Sequence, residues 1–126
     1  MRLNTLLLVA GILALVFGLG FLLAPAALLP MYGLGSEPTT ILMSRFFGAA
    51  LVHLGVALYL VRDVREPATR RGLVLAGIVG SLAGLAVAVL GQLSGVVNEM
   101  GWSTVAIYGA LLLGYATLLG ERHERI

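Results

Sequence analysis

Residues 3 to 24 read LNTLLLVAGILALVFGLGFLLA, an almost unbroken apolar run that stops at Pro25. At about 1.5 Å of rise per residue, a helix over this run is long enough to cross the ~30 Å hydrocarbon core of a bilayer. Arg2 precedes the run and Ala24-Pro25-Ala26 follows it, which loosely resembles a leader and its cleavage site. A secretory signal core is usually only about 7 to 15 residues long, so the run is read as a retained membrane span.

The rest of the chain is read outward from this span. Pro25, Pro30, Gly33, Gly35 and Pro38 break any helix over the next connection, which carries Tyr32 and one acid, Glu37. A second apolar stretch follows at about 39–61. The segment Arg62-Asp63-Val64-Arg65-Glu66-Pro67-Ala68-Thr69-Arg70-Arg71 is densely charged and is expected outside the lipid, as a short loop. A third span at about 72–97, a loop with Asn98, Glu99 and Trp102, a fourth span at about 103–120 and a polar tail from Glu121 to Ile126 complete the chain. The expectation is an all-α, four-transmembrane-helix bundle forming one integral membrane domain over residues 1–126.

Composition agrees with this division. Of 126 residues, 60% are hydrophobic and 11% charged, against roughly 25% charged in soluble domains, so a soluble catalytic domain is excluded. Without cysteine there is no disulfide, iron–sulfur cluster or thiolate zinc site. The net charge of +2 comes from eight arginines with no lysine. They sit beside the spans and not in one soluble basic stripe, so the expected partners are membrane lipids, other membrane subunits or a second copy, and not nucleic acid. Arg2, Arg62, Arg65, Arg70, Arg71, Arg122 and Arg125 all fall on one side of a four-span chain. By the positive-inside rule that side, with both termini, is expected to be cytoplasmic, in a multi-pass protein of the cytoplasmic membrane.

Glycines recur every seven residues at Gly11 and Gly18, at Gly48 and Gly55, and at Gly77, Gly84 and Gly91. That period keeps one stripe of small residues turned toward a neighbouring helix. Gly80-x-x-x-Gly84 and Gly91-x-x-x-Gly95 add further close-packing steps, so the third span is expected at the bundle centre, through Gly77, Gly80, Gly84 and Gly91. A shift of 66 residues lays Gly11 over Gly77, Gly18 over Gly84 and Gly48 over Gly114, as a duplicated two-helix unit would.

One arginine and one histidine lie inside spans. Arg45 stands about 9 Å along the second helix, where it must snorkel outward, pair with Glu37 or Glu99, or hold an anionic ligand. Gln92, at similar depth on the third span, and Ser44 complete a candidate polar cluster of Arg45, Gln92, Glu99 and Ser44. His53 is the other intramembrane polar group, and a hydrogen bond to a neighbouring helix is the role expected for it. The spacing Ala49-x-x-x-His53 resembles the surroundings of the pigment ligand in light-harvesting polypeptides, which are single-span chains. No phosphate loop, no nucleophile with a base and no metal-ligand cluster is present, and no catalytic residue, metal or cofactor is expected. The small four-helix drug exporters carry an acid in their first span, and this chain has none there.

The segment Ser44-Arg45-Phe46-Phe47-Gly48-Ala49-Ala50-Leu51-Val52-His53-Leu54-Gly55 resembles the second helix of small bacterial DoxX-like membrane proteins and related uncharacterised families, through Arg45, Gly48 and Gly55. The resemblance implies a four-helix bundle in the bacterial inner membrane, in some members associated with quinone-linked or thiol-oxidant enzymes. Two functions follow as expectations: a non-catalytic membrane subunit or assembly partner, or a binding protein or redox-enzyme subunit for a lipophilic molecule such as a quinone.

Overall fold

The computed structural model describes residues 2–125, with side chains for residues 2–120; His123 and the other side chains of the tail lie outside the described residues. Its long helices are α1 (Leu3–Leu23), α3 (Pro38–Leu60), α4 (Pro67–Leu93) and α5 (Gly101–Arg125). Each contains a stretch long and apolar enough to cross a membrane. No strand occurs among the described residues. The protein is an all-α bundle of four such helices.

The helix ends follow from local chemistry. The first connection was expected to be free of helix, but its prolines start turns as well as stopping them. Pro25 and Pro30 occupy first-turn positions, where a missing N–H costs nothing, and the chain forms a short helix α2 (Pro25–Leu28) and a 3-10 turn (Leu29–Tyr32). Likewise α4 begins at Pro67 and takes in Thr69, Arg70 and Arg71, which the sequence reading left in the loop. Glu66 makes this possible by accepting from the backbone N–H groups of Ala68 and Thr69, at 3.1 and 3.0 Å. At its other end α4 stops at Leu93 because Gly95 turns left-handed, with φ +76°. Val96 N–H then bonds to Gly91 O and Gly95 N–H to Gln92 O, the paired bonds that close a helix on glycine. Gly33, also at φ +76°, ends the 3-10 turn in the same way.

The four helices form two antiparallel hairpins held by different devices. In the first, α1 and α3 touch backbone to backbone. A Cβ on Gly18 would lie 2.8 Å from Val52 N and 2.9 Å from Gly48 O, and one on Gly55 would lie 2.8 Å from Gly11 O. The face of α3 turned to α1 carries Ile41, Ser44, Gly48, Leu51, Gly55 and Leu58, spaced alternately by three and four, all buried or half-buried. In the second hairpin the glycines of α4 receive rings instead. The Tyr115 ring fills the notch at Gly77 and the Tyr108 ring the notch at Gly84, with buried Ser81 on the same face between them.

Most of the helix contact between the hairpins is between α1 and α5, so α3 and α4 are the outer helices. This corrects the expectation for the bundle centre, which belongs to α1 and not to α4. Leu3, Leu6, Leu7 and Ala10 of α1 meet Leu58, Val74, Tyr115 and Leu118 in one buried cluster at the end of the bundle that carries Arg2 and the 61–66 loop. Gly80 has open space where a side chain would go, and Gly91 meets only Val97, at 4.0 Å. Neither packs against another helix.

Candidate functional site

At the bundle end opposite Arg2 the two hairpins are joined by Asn98. Its backbone N–H donates to Tyr32 O at 2.9 Å and its side-chain Nδ2 donates to Met31 O at 3.2 Å, binding the α4–α5 loop to the α1–α3 connection. Its Oδ1 accepts from Met100 N–H, and its carbonyl accepts from Gly101 N–H and from Gln92 Nε2. Every polar group of this one residue is used. The sequence reading placed Asn98 in the loop and gave it no role. The usable signal was an amide-bearing side chain between two glycines, where asparagine commonly organises its own backbone.

The four residues of the candidate polar cluster are divided between the hairpins. Ser44 and Arg45 are on α3, Ser44 half-buried toward α1 and Arg45 exposed. Gln92 is in the last turn of α4, engaged with Asn98, and its Oε1 is buried without a partner. Glu99 is exposed on the α4–α5 loop. No hydrogen bond or ion pair links Arg45 to Glu37, Gln92 or Glu99 among the described residues; Glu37 accepts instead from Thr40, at 3.3 Å. No hydrogen bond or ion pair among the described residues joins any two of these four side chains.

His53 is also exposed, and no residue described in this chain hydrogen-bonds its imidazole. Five residues beyond Gly48, it lies about 140° around α3 and therefore faces away from α1. The hydrogen bond expected from it to a neighbouring helix of the same chain is absent among the described residues.

The other bundle end is ordered by its charged side chains. Arg62 donates to Tyr59 O at 2.6 Å, stacks 4.0 Å above the Tyr59 ring and lies 3.9 Å from Asp63, while Arg70 donates to Val64 O at 3.2 Å. The Thr69 hydroxyl bonds to Glu66, and that bond, with the two backbone N–H groups, holds the Glu66 carboxyl below its ordinary range. Together these contacts brace the turn between α3 and α4. No group of three His, Asp or Glu side chains able to hold a metal occurs among the described residues. What the geometry offers a ligand or partner is therefore the outward side of α3, where an arginine and a histidine stand inside an apolar span. Comparison of the chain with protein-family models, with curated proteins and with solved structures finds no match.

Proposed function

We propose that this small multi-pass membrane protein is a non-catalytic subunit or assembly partner, seated in the cytoplasmic membrane with both termini inside. The observation that carries the reading is the outward side of α3, where Arg45 and His53 are exposed with no partner described in their own chain. Polar groups in a span are costly toward lipid and ordinarily meet another protein group, water or a head group. An outer helix that keeps two of them unpaired suits a surface completed by another membrane chain. The orientation rests on the arginines, seven of which lie at or beyond the Arg2 end while Arg45 alone lies toward the other. The DoxX-like pattern of Arg45, Gly48 and Gly55 agrees with a subunit role. A quinone or other lipophilic ligand would be favoured by Arg45, Gln92 and His53 around one cavity, and no bond joins any two of them.

The test is gentle purification from native membranes followed by native mass spectrometry. A stoichiometric complex heavier than the 13.2 kDa chain is expected. A single chain carrying only lipids, under conditions that keep lipids bound, would overturn the proposal.

A further inference from the structure

The outward face of α3 has a regular form of its own. Met43, Phe46, Ala50, His53, Ala57 and Leu60 are spaced alternately by three and four residues, the same rhythm as the face locked to α1 but on the opposite side of the helix. All six are exposed, Met43 at 57%, Phe46 at 62% and Leu60 at 72%. A three-four rhythm keeps a straight seam toward one partner helix crossing at about 20°. Ala50 and Ala57, one turn to either side of His53, are small enough to let a second backbone approach the imidazole.

We propose that a second copy of this chain packs on this seam, α3 beside α3, with the two His53 side chains bonded to each other. The proposal rests on the subunit reading above and names its partner. Two copies inserted in the same sense can be related by a two-fold axis along the membrane normal, which places each residue on the axis opposite itself. Most side chains gain nothing specific from meeting their own kind, but a neutral imidazole has one N–H donor and one nitrogen acceptor. His53 is thus its own complement, able to donate one N–H to its twin or to accept one from it, at mid-span, where water is scarce. A single polar residue in an otherwise apolar seam also fixes the register of the two helices. Arg45 stands about 80° from His53 around the helix, so the seam does not force the two arginines together.

Because the chain has no cysteine, single substitutions report their own neighbours. Ala50→Cys and Ala57→Cys lie on the seam, whereas Ala49→Cys and Val56→Cys are at positions also exposed but beside it. Mild oxidation in native membranes should give a disulfide-linked product of twice the chain mass from the first two and little from the others. Equal yields from all four, or none from the seam, would overturn the proposal. In the Ala57→Cys background, His53→Leu should weaken the dimer about 3-fold to 20-fold, from the average to the largest value measured for one interhelical hydrogen bond, and His53→Gln, which keeps a donor and an acceptor, should restore it. An unchanged dimer in His53→Leu would overturn the histidine pairing. A photo-crosslinker carried on Ala57→Cys separates the two levels of the argument. An adduct with a different protein refutes the second copy and leaves the subunit reading standing; adducts with lipid alone refute both.

Discussion

Substituting Gly48 by alanine tests the packing of α1 on α3 with a single methyl group. Built on the Gly48 backbone, the new Cβ would lie 2.6 Å from Leu22 N, 2.7 Å from Gly18 O and 3.0 Å from the Phe21 carbonyl carbon. All three are main-chain atoms, so no rotamer change can clear them. The nearest approaches fall about 0.7 Å short of ordinary van der Waals contact, and α1 must move off α3 by about that distance. Separation spreads to the neighbouring crossing, where Gly55 approaches Gly11 O equally closely, and the dispersion contacts along the hairpin weaken together. Overpacking of this kind typically costs about 1–3 kcal/mol. The matched control is Gly80→Ala on α4, where a Cβ meets nothing within 4 Å. There only the backbone effect operates, and alanine in a helix interior is favoured over glycine by about 0.5–1 kcal/mol. Thermal unfolding of both variants in the same mild detergent should therefore separate them, with Gly48→Ala down and Gly80→Ala unchanged or up. Equal shifts would refute a backbone-to-backbone interface between α1 and α3.

In the second hairpin a methyl at Gly77 collides with the Tyr115 ring and not with backbone, so Tyr115→Leu should partly rescue Gly77→Ala; a thermal double-mutant cycle with strict additivity would show that the two do not touch. Asn98→Ala should lose the side-chain bond to Met31 O while keeping the backbone bond to Tyr32 O, and cost about 1 kcal/mol; an unchanged thermal midpoint would show that the side chain contributes nothing to the link. The Glu66 carboxyl is held below its ordinary range by Thr69 and Ala68, so its stabilisation is complete at neutral pH and is lost as pH falls through the carboxylate range and below. Thermal midpoints followed from pH 7 downward should show this loss in the wild type and a flatter profile in Glu66→Gln; parallel profiles would contradict the capping role.

The spans were legible because each apolar run is bounded by proline, glycine or charge. Which glycine meets what was not. The pairs Gly11 and Gly18, Gly48 and Gly55, and Gly77 and Gly84 share one spacing, yet the first two sets meet each other's backbone and the third receives tyrosine rings. A seven-residue repeat shows that a face is small, but the neighbour depends on which helices the loops bring side by side. Gly80 and Gly91, part of the same pattern, sit where no helix arrives, and α4 therefore lies at the outside. Tyr108 and Tyr115 share the spacing of Gly84 and Gly77 on the next helix, and that match was a signal available in the sequence. The Arg45 cluster shows the same limit: equal depth in the membrane places residues at one level without placing them on facing sides, and no bond joins its members among the described residues. Asn98 escaped notice because its work is done by contacts across 67 positions of sequence.

The two-faced character of α3 is the centre of this account, and oxygen accessibility of spin labels walked singly along residues 41–60 in native membranes tests it most directly. The account predicts low accessibility at Ile41, Ser44, Leu51 and Leu58 under all conditions, from packing on α1. It predicts a second set of minima at Phe46, Ala50, His53 and Ala57 that rises when the protein is diluted into excess lipid and the second copy is lost. A profile without the first set would contradict the fold, and a seam fully open to lipid before any dilution would contradict the assembly.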